Sequence, residues 1–506
     1  MMVWVAWLAG AAAVLFAGST LALWSYGRFA RRVRGPESMA FTPGHAAPLD
    51  LLLAPHEAAA PGQSGAALVI DNLDAFARRL ASAAQARRSL DLMYYIWRDD
   101  RTGRLLAEAL LAAADRGVRV RMLLDDVNVL GLDPTYLALD GHPGIEVRLF
   151  NPIRARRSSL RRGLEMLFSL LRYNRRMHGK LWIADGRLAL VGGRNIGDVY
   201  FDAARGKLRR NVRDIDLLLA GPVLRDAEAM FDRYWNSGLA LPIAALWKPR
   251  RFDVDGLRAA LRRNRRSGRV RAYLSRIGPP DEAATLGLEG LVWAKGYRFV
   301  ADPPEKALAT GREGWLPDAV APLMRDATGR IDILTPYFVP GREGMAALLA
   351  AAGRGVEVRV TTNTLAVTNH LVVHGAYRRY RRALLGGGVQ LFEYAPCTQR
   401  GPMHHGKAFV VDGRRGFVGS FNFDQRSAFL NTELGVVFED PVLVAELEAE
   451  LARSRAPEHA YRLCLSERRL SWSRGAGQAL GHEPDTGATR RAASFLIGHL
   501  PIHRWL

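Results

Sequence analysis

The sequence predicts an α/β protein of two duplicated lobes, each a mostly parallel sheet flanked by helices. One active site is expected on the pseudo-twofold seam between them, and a transmembrane helix at the N-terminus. Three observations carry this prediction. The pattern H-x-K-x(4)-D, followed by a Gly-containing turn and an Asn, occurs twice with the same internal spacing. The same order of apolar segments surrounds both copies, and residues 1–24 contain no charged side chain.

At about 1.5 Å per residue, residues 1–24 are long enough to cross a hydrocarbon core about 30 Å thick. A cleaved signal peptide has a basic leader and a shorter apolar core. This segment has neither, so residues 1–27 read as an uncleaved anchor. Arg28, Arg31, Arg32 and Arg34 follow directly, which places the body on the cytoplasmic side with the N-terminus outside.

Residues 28–66, rich in Ala, Pro and Gly, read as a linker. The first lobe is expected over residues 67–245. Within it, 89–97 and 118–126 read as strands, 105–117 as a helix ending in Gly117, and 145–150 as a third strand. The same order returns as a strand at 330–339, a helix at 345–355 and strands at 356–363 and 388–394. The second lobe therefore spans 315–465. Between the lobes, 246–314 is connecting structure, with a helix at 257–269 and loops marked by Pro279, Pro280, Pro303 and Pro304. Residues 466–506 form a polar tail whose last residues are apolar enough to pack on the body or touch a bilayer.

Composition narrows the partners. The chain has 506 residues, 49% hydrophobic and 24% charged, which is a folded composition, and its net charge of +21 favours anionic partners. Cys397 and Cys464 read as two unpaired thiols.

The repeated motif supplies the chemistry. The first copy carries His178, Lys180, Asp185, Gly192, Gly193 and Asn195; the second carries His405, Lys407, Asp412, Gly419, Ser420 and Asn422. Residues i and i+2 of a strand share a face, so each His projects with its Lys. Lys and Asn are donors suited to phosphate oxygens, and glycines let backbone approach them. The set lacks metal ligands; His404 beside His405 does not make a zinc site. One imidazole can attack phosphorus while a second moves the proton, so both copies must face each other. A carboxylate should orient each His. Glu433 and Asp214 stand at equivalent positions, each eight residues before a Pro, Pro441 and Pro222. Asp185 and Asp412 either join the catalytic set or fix the turn after each strand.

These residues resemble the phospholipase D superfamily, whose signature is H-x-K-x(4)-D followed by G-G/S-x-N. The resemblance covers about 68–464, and YYIWRDDRTGRLLAEALLAAADRGVRVRMLLDD and LVGGRNIGDVYF are similar to segments of bacterial cardiolipin synthases. It implies two α/β lobes around one site, no cofactor, an inner-membrane location, and His178 as nucleophile with His405 as acid and base. The residues themselves do not separate those two roles. The implied reaction transfers a phosphatidyl group from phosphatidylglycerol, or from phosphatidylethanolamine, to a phosphatidylglycerol hydroxyl. The alternatives are a hydrolytic phospholipase D and, less favoured by the anchor, a nuclease of the same chemistry; nucleic acid is not an expected partner.

Three further readings concern the surroundings. Residues 154–176 interleave Arg with Leu, Met and Phe and could lie on an anionic membrane or form a solvated helix. On a membrane each basic residue would add about 1 kcal/mol. His370 and His374 read as headgroup or acceptor contacts or as plain packing. Tyr94, Tyr95 and Trp97 read as core.

Overall fold

The computed structural model describes residues 2–204, 206, 210–247, 253–279, 282–396 and 401–500. Cys397, Pro280 and the apolar end of the tail beyond residue 500 lie outside these; Cys464 is an exposed free thiol.

The strands of the first lobe, in chain order, are β1 (Ser64–Val69), β2 (Ser89–Tyr94), β3 (Arg119–Asp125), β4 (Ile145–Phe150), β5 (Leu181–Ala184), β6 (Leu188–Gly192), β7 (Asp216–Ala220), β8 (Ala240–Pro242) and β9 (Val292–Ala294). They form one sheet in the order β9-β1-β7-β6-β5-β2-β3-β4-β8. The second sheet runs from β10 (Tyr297–Ala301) through β11 (Arg330–Leu334), β12 (Glu357–Asn363), β13 (Gln390–Tyr394), β14 (Ala408–Val411), β15 (Arg415–Gly419), β16 (Leu434–Phe438), β17 (Ala460–Ser466) and β18 (Arg469–Ser473). Its order is β10-β16-β15-β14-β11-β12-β13-β17-β18. Laid side by side, β1 through β8 correspond to β10 through β17 in both chain and sheet order, so the duplication is complete at the level of topology.

Strand direction departs from the expected mostly parallel arrangement. Only β2, β3 and β4, and likewise β11, β12 and β13, run parallel. The helices Arg101–Asp115 and Gly341–Gly353 supply the crossovers that such pairs need. The motif half of each lobe is an antiparallel meander, with β5 against β2 and β6, and β14 against β11 and β15. Short apolar runs read the same in either direction, because both faces are covered.

The lobe edges also differ from the sequence reading. β1 begins inside the supposed linker, which also contains the helix Pro48–Ala59. The connecting segment supplies β9 to the first sheet and β10 to the second. The tail adds β18 and a helix, Ala488–Gly498, whose backbone packs closely on Leu371–Tyr377 at Gly375 and Gly498.

The N-terminal helix runs Met2–Val33, and its stretch Ala9–Val33 is long and apolar enough to span a membrane, with only Tyr26 and Ala30 of that stretch buried. Its last turns dock on the body, through Tyr26 and Ala30 against Leu241. Between the lobes, Leu181, Val191 and Leu217 share one buried cluster with Val410, Val418, Leu434 and Val436. Each such side chain contributes about 1.5–3 kcal/mol when fully buried. This shared core presses the two motif-bearing meanders face to face.

Candidate active site

Each His-Lys pair sits just ahead of β5 or β14, the Lys one residue and the His three residues before the strand begins. Short strand pairings between the lobes fix both segments. Met177 bridges Thr432, and Met403–His404 pairs in parallel with Val212–Arg213. The His178 N–H donates to the Thr432 carbonyl at 2.9 Å, and the His405 N–H to that of Arg213 at 2.7 Å. The preceding residues are held by the last residues of β3 and β12. Asp125 accepts the Met177 N–H at 2.9 Å, and the Asn363 side chain that of His404 at 3.0 Å.

The carboxylates cross between lobes. His178 Nδ1 lies 2.8 Å from Glu433 Oε2, and His405 Nδ1 lies 2.5 Å from Asp214 Oδ2. Each imidazole is therefore oriented by the opposite half of the chain, and its Nε2 is left for chemistry. Glu433 is itself held by the hydroxyls of Ser420, at 2.5 Å, and Ser427, at 2.8 Å. Where the second lobe has Ser420 the first has Gly193, and the shorter Asp214 explains the exchange. A Cβ at Gly193 would stand 2.2 Å from Asp214 Oδ1. A Cβ at Gly192 would meet Asp216 at 2.3 Å, and one at Gly419 the Leu434 carbonyl at 2.4 Å. These glycines make room for the neighbouring strand and its carboxylate, where the sequence had suggested room for a phosphate oxygen.

Both lysines are buried and turn back on their own motif. Lys180 Nζ donates to the His178 carbonyl and Lys407 Nζ to that of His405; Lys407 Nζ also lies 3.0 Å from His405 Nδ1. The Asn195 amide accepts the Ile96 N–H at 3.1 Å and donates to the Tyr200 hydroxyl at 3.1 Å. Asn422 Oδ1 is buried without a partner among the described residues.

Electrostatics follow from burying so many charges together. Burial, reinforced by Lys180 and Lys407, holds His178 well below the usual imidazole range. Burial and Lys407 push His405 down to about 3. Both rings are thus neutral nucleophiles or bases in the free site. Burial lowers Lys407 to about 8, opposed by Asp214 and Glu433. Against the effect of its own burial, Asp214 is held below the usual carboxylate range by Lys407, His405 and Arg194. Glu433 is pushed up by burial, with Lys180 and the two serines pulling the other way.

Asp185 and Asp412 stand apart from this constellation, which corrects their grouping with the catalytic residues. Both adopt left-handed backbone, φ 54° and 55°. Asp185 accepts backbone N–H groups of Arg87, Arg88 and Ser89 at 2.7–2.9 Å. Asp412 does the same for Thr328, Gly329 and Arg330 at 2.7–3.0 Å. Each pins the entry of the lobe's central strand.

Sequence reasoning missed the aromatic frame. Tyr95, read as core, packs edge-on against His178 at 4.9 Å between ring centres. Tyr200 lies 5.5 Å and Tyr337 6.3 Å from His405. Tyr95 follows β2 and Tyr337 follows β11, but the shared register makes Asp91 equivalent to Asp332 and so Tyr95 to Pro336, and aligning the copies would not have paired the two tyrosines. Tyr94 and Trp97 are core. His370 stacks edge-on against Tyr337 at 5.0 Å, beside the site. His374 is buried against Arg381, whose guanidinium also reaches Glu483 at 2.5 Å and Glu393 at 2.6 Å. Although His374, Glu393 and Glu483 could together face a metal ion, Arg381 already supplies the cation there. His374 is packing, not a headgroup contact.

A family model described as "Cardiolipin synthase, PLD-like domain" matches residues 80–235 and 320–455. Cardiolipin synthase C of Escherichia coli (strain K12) is 40% identical over 469 residues, covering 88% of this chain and 97% of that protein. The cardiolipin synthase of Geobacillus kaustophilus (strain HTA426) is 29% identical over 373 residues, 73% of this chain and 62% of its own length. Among solved structures, phosphatidylserine synthase of Haemophilus influenzae Rd KW20 shares the fold with a TM-score of 0.57 at 13% identity, over 88% of this chain and 96% of the other. The chain belongs to the cardiolipin synthase family of phospholipase D-like phosphatidyltransferases.

Proposed function

We propose that this enzyme makes cardiolipin by transferring a phosphatidyl group to phosphatidylglycerol through a phosphohistidine at His178. In the first step His178 Nε2 attacks the donor phosphorus, the bond to the leaving alcohol breaks, and His405 gives that alkoxide its proton. In the second, His405 takes the proton of a phosphatidylglycerol hydroxyl, whose oxygen attacks phosphorus and releases His178. Glycerol leaves when the donor is phosphatidylglycerol, ethanolamine when it is phosphatidylethanolamine. Lys180, Lys407, Asn195 and Asn422 hold the non-bridging oxygens while their charge grows.

The crossed His–carboxylate pairs carry this reading, because they prepare two imidazoles for different tasks. Asp214 is kept ionised and so steadies a proton on His405, which suits the acid and base. Glu433 is pushed up by burial and shared with two serines, so it favours a neutral His178, which suits the nucleophile. A phosphodiester entering the site brings negative charge that favours protonating His405, so the acid forms with the substrate. The exposed N-terminal span favours a single-pass inner-membrane protein, and Arg28, Arg31, Arg32 and Arg34 at its end favour a cytoplasmic body.

The test is lipid mass spectrometry of a cardiolipin-deficient bacterial host expressing the parent chain, His178→Asn or His405→Asn. Cardiolipin with the parent alone is the expected result. Phosphatidic acid rising in place of cardiolipin would transfer the reading to a hydrolytic phospholipase D. Cardiolipin made by either variant would remove the two-histidine mechanism.

A further inference from the structure

The helix Ser159–Phe168, none of whose residues is fully buried, runs against the N-terminal helix and leads into the short helix Leu170–Tyr173. Leu160, Leu164 and Leu167 are spaced 4 and 7 residues along one stripe of the first helix, and with Leu170 and Leu171 of the second they are 49–74% exposed. Clustered exposed leucines of this kind commonly mark a protein or membrane contact.

Its neighbour points to the partner. The Phe168 ring fills the space beside Gly18, where a Cβ would stand 2.4 Å from the ring. Gly18 lies within the stretch long and apolar enough to span a membrane. The body grips that helix further along, where Arg172 stacks on Tyr26 at 3.6 Å and Arg154 donates to Ser25 Oγ at 2.9 Å. The rise from Gly18 to Tyr26 is about 12 Å. Phe168 therefore reaches well past the docking point, along the apolar part of the span.

The basic residues of this segment sort accordingly. Arg156 is buried on Asp126 and Asp133, and Arg172 and Arg176 are buried too, so they are structural. Arg157 and Arg161 remain exposed. Of the two readings of residues 154–176, a membrane-lying segment or a solvated helix, the exposed leucines favour the first, with fewer free arginines than the sequence offered.

We propose that Ser159–Phe168 and Leu170–Tyr173 form an in-plane membrane element, with the leucine stripe among the acyl chains beside the spanning helix and Arg157 and Arg161 at the headgroups. The inference rests on reading the N-terminal helix as a membrane span. It has a direct consequence for the site. Tyr173 is five residues from His178, and Asn174 is tied to the second lobe by Arg426 at 2.9 Å. The element therefore holds the catalytic seam at headgroup depth, so that substrate phosphates enter without leaving the bilayer.

The full chain, with its native cysteines replaced by serine, would carry an environment-sensitive fluorophore at Leu164→Cys, at Phe16→Cys in the span, or at Glu467→Cys on the exposed β17–β18 turn. It would be reconstituted in phosphatidylglycerol–phosphatidylethanolamine vesicles containing acyl-brominated lipid. Quenching at 164 and 16 but not at 467 is the expected result. Quenching at 16 alone would overturn the in-plane element and leave the anchor standing; quenching at neither would overturn both. In a second arm, the triple variant Leu160→Gln, Leu164→Gln, Leu167→Gln should stay in the membrane fraction. It should lose at least about tenfold activity on vesicles while keeping activity on a short-chain soluble substrate. Equal losses on both substrates would count against the proposal.

Discussion

At the scale of single residues, the catalytic pairs are a hydrogen-bonding problem solved across a seam. A buried imidazole that gains a proton needs a fixed negative partner, and Asp214 and Glu433 provide one each from the opposite lobe. Replacing Asp214→Asn or Glu433→Gln keeps the shape and removes the charge. By analogy with carboxylate-to-amide changes beside catalytic histidines, turnover should fall about 10²- to 10⁴-fold with little change in melting temperature. Steady-state kinetics beside a thermal melt would decide it; a loss of activity matched by unfolding would mean these groups only hold the fold. The sequence paired Asp214 with Glu433 by their equal distance from Pro222 and Pro441. It did not say which His each serves, since that depends on contacts between residues 191 and 255 positions apart.

At the scale of elements, Asp185 and Asp412 show how a motif residue can act far from the chemistry. Each accepts three backbone N–H groups at the entry to β2 or β11, the central strand against which the motif strand pairs. Asp185→Ala or Asp412→Ala leaves those donors without their acceptor, at a cost of about 1–3 kcal/mol per site. Denaturant titration should show the loss of stability, while kcat of the remaining folded enzyme should stay within a few fold of the parent. A kcat loss as large as that of His178→Asn would restore the aspartates to the reacting group. The spacing alone left both roles open, because a fixed distance to the His records that the residue matters and not what it touches.

At the scale of the whole molecule, two lobes closing over four cationic or imidazole groups set the pH range of the site. Burial between the lobes brings Lys407 down to about 8 from an ordinary value of 10.5. If its charge holds the phosphate, kcat/KM should fall as pH rises through about 8. The stability contribution of this group has the opposite sign. Below about pH 8 the folded chain bears the cost of a buried ammonium. Between about 8 and 10.5 it has given up a proton that the unfolded chain still holds, so the cost fades as pH rises. Activity should therefore decline in that window without a parallel drop in melting temperature; coincident declines would indicate unfolding instead. The sequence by itself determined the duplication, the His-Lys-Asn sets, the equivalent carboxylates and the apolar N-terminal span, because these are repeats and periodicities of local order. Only the tertiary structure decided that the sheets are mixed, that β9 and β10 come from the segment between lobes, and that Tyr95 and Tyr337 frame the histidines. It also decided that each imidazole takes its carboxylate from the other lobe. Strand direction, sheet-edge pairing and cross-lobe contact are set by which distant surfaces bury each other, and that information is spread over the whole chain rather than written in any one stretch of it.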